Sequence, residues 1–382
     1  MGRVPDFQLR FPGTISTALV PSNRFGAADI GDLVIDKKNR EDTMDRRSFL
    51  ATAAALPAAM LGATLARAED HLKWAVFTPD SEVTFRTVMK PFAETVQREA
   101  NGAVVFDLFP NGALGRNPGQ QPQMLLDGVA DLAWVIPSYS PGRFPDTEVL
   151  ELPGLFRDLR ESSLVASAMN AHKSLHDYGD FYVVGLWGTA PYSIHTNFPV
   201  NSIADLKGKT IRASSKNESA ALRAFGAVPV GMPVTEIPEA ISRGTISGTT
   251  SHLSPFFDFG LDRVTNNHFF IGLGVVPLCV LMNKKKFDAL PQSARSVIER
   301  NSGPALTKTW IESITSYNAA NMEKLKSNPK NKVVFPSQEE IDKAQALLSP
   351  VREEWVAASD RHKELKAALD TELAAVRNSD KG

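Results

Sequence analysis

The chain has 382 residues, enough for two domains, and its 43% hydrophobic and 22% charged content suits a soluble globular fold rather than a disordered or fibrous chain. Its formal net charge of -1 offers no basic surface for nucleic acid. A single cysteine, Cys279, rules out an intrachain disulfide, and its place in the apolar run GVVPLCVLMN marks it as a core residue rather than a nucleophile.

Residues 1–43 carry no clear periodicity. From Met44 to Asp70 the sequence MDRRSFLATAAALPAAMLGATLARAED has a charged head, an Ala-rich apolar stretch and an A-x-A site at Ala66, Arg67 and Ala68. That is the layout of a secretory signal over 44–68, with cleavage expected after Ala68. The run Arg46-Arg47-Ser48-Phe49-Leu50 follows the twin-arginine pattern. A membrane anchor is the other reading, but the apolar run is short and Pro57 interrupts it. Residues 1–43 are then an upstream extension ahead of a true start at Met44. The mature chain is expected to be an exported, soluble, periplasmic protein from about Glu69.

HLKWAVFTP reads as a first strand and turn. SEVTFRTVMKPFAETVQREANG reads as an amphipathic helix with Phe85, Val88, Met89, Phe92 and Val96 on one face, ended by Asn101-Gly102. AVVFDLFP is a second strand, and PQMLLDGVADLAWV is a helix followed by a third. This β-α-β-α-β order predicts a mostly parallel sheet flanked by helices. DFYVVGLWG, GKTIRA, TISGTTS and FIGLGVVPLCVLMN supply further strands. From Phe287 to about Lys326 the pattern is helical, with a break or kink at Gly303-Pro304. Ser337, three residues before Glu340, has capping-box spacing at the head of another helix, and the charged tail reads as a helix that frays.

Several motifs invite chemistry and fail. Gly208-Lys209-Thr210 resembles the end of a phosphate loop, but Ile203 stands where the first glycine is needed. GLGVVP lacks the third glycine of a dinucleotide fingerprint, and Pro277 forbids the helix that should follow. His172 and His176 have metal-ligand spacing on a helix but no third ligand, so a solvated face is the simpler reading. Ser247 sits in GTISGTT, which is no nucleophile elbow. No cofactor or metal is implied, and the absence of a catalytic constellation points to a binding protein.

Arg212 is different. GKTIRAS puts it at the carboxyl end of a strand with a helix after it, where open α/β sheets bind ligands. Its planar guanidinium can hold a carboxylate through two parallel hydrogen bonds. A surface salt bridge is the alternative.

The mature chain also resembles the substrate-binding proteins of tripartite ATP-independent periplasmic (TRAP) transporters, the DctP-like family. The resemblance runs from about Leu72 to Ser359. It is carried by FAETVQREANGAVVFDLFPNGALG, MLLDGVADLAWV, PDTEVLELPGLFRDL, the stretch from HTNFPVNSIADLKGKTIRASS to ISRGTISGTT, LMNKKKFDALP and VVFPSQEEIDKAQALLSPVREEW. It implies a two-domain α/β periplasmic-binding-protein fold with a ligand cleft between the domains and a long bridging helix. Domain I is expected over 69–195 plus 280–320, and domain II over 196–279 plus 321–382. The implied function is capture of a small organic carboxylate and delivery to the small and large subunits of a membrane permease, by a monomer without nucleic-acid partners. Arg212 falls on the family's carboxylate-binding arginine.

The chain departs from the family in two places. Where many members read V-D-G it has Ile246-Ser247-Gly248, and where many carry a second arginine it has Tyr192. Tyr139 and Arg143 fall near the expected cleft, as do Phe77, Trp187 and Phe256, although each aromatic could instead be core. Ser247, Thr249 and Ser251 complete the candidate ligand-binding set. One charged end and a flat apolar wall favour a monocarboxylate, an aromatic one included, over succinate or malate. The rival reading is a hydrolase or lyase acting on an organic acid in the same cleft. A structural or adhesion protein is a third.

Overall fold

The computed structural model of the protein describes residues 70–379. The leader read at 44–68 and the extension at 1–43 lie outside the described residues, which fall within a single unit spanning 66–382. In chain order, β1 (Asp70–Ala75), α1 (Lys90–Glu99), β2 (Val104–Phe109), α2 (Gln121–Leu126), β3 (Leu132–Val135), α3 (Leu159–Ala171) and β4 (Phe181–Gly188) come first. Next are β5 (Ser193–Thr196), β6 (Thr210–Ala213), α4 (Lys216–Ala224), β7 (Val228–Gly231), α5 (Ile237–Ser242), β8 (Gly248–Ser251), α6 (Leu253–Asp258) and β9 (Asn267–Phe269). The chain closes with β10 (Pro277–Asn283), α7 (Lys284–Ala289), α8 (Gln292–Asn301), α9 (Pro304–Ser327), β11 (Lys332–Val334), α10 (Gln338–Ala357) and α11 (Asp360–Ser379).

These elements form two sheets, each the centre of one lobe. The first has the order β2-β1-β3-β10-β4, with β1 parallel to both β2 and β3, and β10 antiparallel to β3 and β4. The second has the order β11-β9-β5-β8-β6-β7 and mixes parallel with antiparallel pairs. In the first lobe, period-2 alternation sends side chains to opposite faces. Leu72 and Trp74 pack with Phe92 and Phe106 on one side. Ala133, Val135 and Cys279 pack with Val165 and Met169 of α3 on the other. Cys279 is fully buried, as its apolar setting predicts. Gly185 in β4 is required by close approach, because a Cβ there would lie 2.1 Å from the Trp187 ring.

The expected helix runs without a gap from 83 to 99, with a π-helical turn inside its first half. Phe85–Met89 winds as a π-helical turn that leads directly into α1 at Lys90. Such turns are found frequently at functional sites. The break at Gly303-Pro304 is real: Gly303 has φ of 56° and separates α8 from α9. Helix α9, 24 residues and about 36 Å long, runs past both lobes, touching α3 and β4 of the first and α6 and β11 of the second. At the head of α10, Ser337 Oγ accepts from the Glu340 N–H at 3.3 Å. The Glu340 carboxylate does not complete the box, because it accepts from Ile203 N–H instead.

Two expectations about the lobes need correction. The crossings lie at 189–192 and 270–276, a few residues earlier than the expected bounds at 195/196 and 279/280, because β5 begins at Ser193 in the second sheet and β10 at Pro277 in the first. These crossings hold each other. Tyr192 N–H donates to Gly274 C=O at 2.7 Å, and Leu273 N–H to Tyr192 C=O at 2.8 Å. The tail does not fray onto the second lobe. Helix α11 buries Leu365, Leu369 and Leu373 in the first lobe's core with α3. Arg377 also pairs there with the buried Glu161.

Candidate functional site

A cavity lies between the lobes, at the carboxyl ends of the parallel strands, where open α/β sheets place their ligands. The first lobe contributes the loop after β1 (Phe77, Thr78, Glu82), the end of β3 (Trp134, Ile136, Tyr139) and Trp310 of α9. The second contributes Arg212 from β6 and Ser251, His252 and Ser254 from the β8–α6 junction. Tyr192 enters from the crossing.

Arg212 is 2% exposed, yet its charge is well supported. Nε donates to Met232 C=O at 2.8 Å, Nη1 to Thr250 C=O at 3.3 Å and Nη2 to Tyr139 Oη at 2.7 Å. Burial works against the charge, but the surrounding groups, Tyr139 and Glu218 foremost, outweigh it and hold the pKa above its ordinary value. A guanidinium has five N–H donors. Three are used, which leaves one on each terminal nitrogen, the pair that an end-on carboxylate engages.

Tyr139 joins the lobes. Its hydroxyl belongs to the first lobe and accepts from Arg212 and, at 3.1 Å, from Val234 N–H of the second. Further bonds cross the same gap: Asn217 Nδ2 to Glu148 C=O at 2.9 Å and Val83 N–H to Asp258 Oδ2 at 3.3 Å. The lobes are therefore closed on each other. Glu151 is buried in this interface beside Ser215 and Ser138, and burial pushes its carboxyl up to about 8, with Glu148 and Glu218 adding to the rise.

Beside Arg212, His252 is buried and its Nδ1 has no partner. Burial, and then the neighbouring Arg212 charge, push its pKa down to about 3, so it is neutral and Arg212 is the one cation among the described lining residues. The far wall is aromatic. Trp310 stacks on Trp187 at 5.0 Å between centroids, with Trp134 6.4 Å away. Trp310 is pinned by its N–H bond to Ser163 Oγ (3.0 Å), and Trp187 by its bond to Thr307 Oγ1 (3.1 Å).

Of the residues expected at the site, the fold brings together Arg212, Tyr139, Tyr192, Phe77 and Ser251. The other five stand elsewhere. Trp187 is a layer behind, supporting Trp134 and Trp310. Arg143 pairs with Asp180 at 3.1 Å and lies over the Phe181 ring. Ser247 precedes β8 at the end away from the cavity, bonded through its backbone to Thr210 and Asn197. Thr249 is paired inside the sheet opposite Arg212 and turns its hydroxyl to Thr250 C=O. Phe256 points into the second lobe's core against His195 and His268. Sequence reasoning missed Glu82, His252, Trp134 and Trp310. Glu82 and His252 follow strand ends as Arg212 and Phe77 do, so the same rule could have found them. Trp310 sits mid-helix, and no local signal points to it.

The motifs set aside on sequence grounds have structural roles. Gly208 is an exposed turn residue before β6. His172 bonds Glu372, and no group of three metal-ligating side chains exists among the described residues.

Two α/β lobes that close through a hinge ribbon onto a buried arginine define a ligand-capturing binding protein. The chain belongs to the family described as "Bacterial extracellular solute-binding protein, family 7", which it matches over residues 75–359. Among curated relatives, the C4-dicarboxylate-binding periplasmic protein DctP of Rhodobacter capsulatus is 27% identical over 212 residues, 55% of this chain and 64% of that one. Among solved structures, a marine metagenome TRAP solute-binding protein specific for aromatic acid ligands, in complex with 3-hydroxybenzoate, aligns with a TM-score of 0.76 and 28% identity, covering 80% of this chain and 98% of that one. A TRAP solute-binding protein from Rhodoferax ferrireducens, in complex with benzoate, aligns with a TM-score of 0.77 and 27% identity over 81% and 99% of the two chains. No helix among the described residues is long and apolar enough to cross a membrane.

Proposed function

We propose that this chain is the exported, monomeric receptor of a TRAP transporter, that it captures an aromatic or other hydrophobic monocarboxylate, and that it delivers it unchanged to the small and large permease subunits. The observation that carries the reading is the single cation of the cavity: Arg212 keeps two N–H donors free and faces Trp134 and Trp310 rather than a second positive charge. One carboxylate docks on the fork and the ring fills the aromatic wall. A dicarboxylate such as succinate would bury its second charge near Glu82 without a cation, which costs several kcal/mol. The benzoate and 3-hydroxybenzoate complexes of two relatives support this choice, and the dicarboxylate named for the Rhodobacter relative is the competing one.

Calorimetry with benzoate, other aryl acids, succinate and malate tests the proposal. Tight binding of an aryl acid, recovered unchanged by mass spectrometry, is expected. Tight succinate or malate binding with no response to any monocarboxylate would overturn the ligand class. Turnover of a bound acid would favour the enzyme reading.

A further inference from the structure

The cavity has a second polar end, contributed by the first lobe. Glu82 is buried, and its carboxylate accepts from Thr84 Oγ1 at 2.8 Å through Oε1 and from Phe85 N–H at 3.0 Å through Oε2. A carboxylate has about four acceptor positions, so these two bonds leave capacity. Thr78 is 3% exposed, and its Oγ1 is a buried polar atom with no partner. Both residues line the same cavity as Arg212. Their side chains follow β1 in the first lobe, whereas Arg212 rises from β6 in the second.

A buried hydroxyl without a partner and a buried carboxylate with spare lone pairs each carry a desolvation cost that a ligand group can relieve. The group that suits both is a hydroxyl, which donates to Glu82 and accepts from Thr78. A bare ring leaves Thr78 orphaned. A second carboxylate meets the acidic pair of Glu82 and Asp258. From the pairing of a spare carboxylate with an orphaned hydroxyl opposite Arg212, we infer that Glu82 and Thr78 form a second recognition site, selecting acids that carry a hydroxyl on the end remote from the carboxylate. This rests on the reading that Arg212 takes the carboxylate.

The charges around Glu82 set how the selection varies with pH. On its own loop it faces Thr84. From α6 it faces Asp258, whose carboxylate accepts from Val83 N–H and from Tyr317 Oη of α9, and which Arg86 and Lys324 act upon. Burial pushes the Glu82 carboxyl up to about 7, against the bonds from Thr84 and Phe85. Above that pH the ionised carboxylate makes a charge-assisted bond to a ligand hydroxyl, whereas an unsubstituted ring leaves the charge buried without a new partner. Discrimination between the two ligands therefore grows from pH 6 to pH 8.5.

The test is calorimetry of the full mature chain with benzoate and its three monohydroxy isomers at both pH values, on wild type, Glu82→Gln and Thr78→Val. In wild type, one isomer is expected to bind about 10- to 100-fold more tightly than benzoate at pH 8.5. Glu82→Gln keeps an acceptor for Phe85 N–H, lowers the preference and removes its pH dependence. Thr78→Val lowers the preference for the hydroxylated isomer, since it removes the one hydroxyl that the ligand hydroxyl pairs with at nearly constant shape. Equal binding of benzoate and every isomer, or a preference unchanged in both variants, would overturn the inference. Tighter binding of an amino-substituted than of a hydroxylated acid would overturn it too. If succinate binds and no aryl acid does, the Arg212 monocarboxylate reading falls and this inference with it.

Discussion

Replacing Arg212 with lysine keeps the charge and removes the fork. In the closed protein five acceptors meet this side chain once a ligand is bound: Met232 C=O, Thr250 C=O, Tyr139 Oη and two carboxylate oxygens. Arginine has five donors for them, and lysine has three on a single nitrogen. At least two acceptors therefore lose their partner in a site from which water is largely excluded. Truncating one side of a buried, charge-assisted pair costs about 2–5 kcal/mol. At about 1.4 kcal/mol per factor of ten, Arg212→Lys should weaken ligand binding from about 30-fold to several thousand-fold. The assay is calorimetry with the tightest-binding aryl acid, alongside circular dichroism to show that the fold is kept. A Kd within about threefold of wild type, in a folded variant, would refute the argument that the fork grips the carboxylate.

Three further outcomes follow from the structure. Glu151 and Glu82 are raised by burial to about 8 and about 7, so their stabilising protonated forms are complete below the unfolded value of 4.5 and are lost as pH rises through 7 and 8. The free energy of unfolding, followed by denaturant melts, should fall between pH 5 and pH 9, and Glu151→Gln should reduce the fall by an amount on the order of a few kcal/mol; superimposable profiles would contradict this. If the unliganded protein exchanges between an open form and the closed form held by the Tyr139 bridge, a saturating aryl acid that spans both lobes should shift it to the closed form and lower the radius of gyration in small-angle scattering. Tyr139→Phe should shift the unliganded protein towards the open form, and identical curves with and without ligand would speak against closure. Finally, changing Arg46 and Arg47 together to lysine should strand the precursor in the cytoplasm, whereas normal export of the double variant would mean a general secretory signal.

Much of the fold was legible because local rules and tertiary packing agree. The alternation of Leu72 and Trp74 in β1 and the apolar face of α1 are read correctly as surfaces meeting at a core. The Gly303-Pro304 break also fell where the residues allow no continuous helix. The failures occur where two elements compete for one side chain or where long-range pairing decides. The Glu340 side chain goes to Ile203 rather than to its own helix end. The strands β5 and β9 are three or four residues long and gain their conformation from partners far along the chain. Helix α11 looks like a charged tail until three leucines find α3.

The sequence by itself determined that Arg212 ends a strand and opens a helix, and backbone chemistry alone aims such a residue at the mouth of an α/β sheet. It also determined that no second arginine stands at Tyr192. Only the tertiary structure decided which aromatic groups reach the ligand space. Trp134 and Trp310 lie 176 positions apart in the chain, and their rings meet beside Trp187 because α9 crosses the first sheet. The same closure removes Thr78 and Glu82 from water and sets them in the cavity that holds Arg212. Burial and opposition across a cleft are properties of two surfaces brought together, and a one-dimensional pattern encodes only the periodicity of each surface alone.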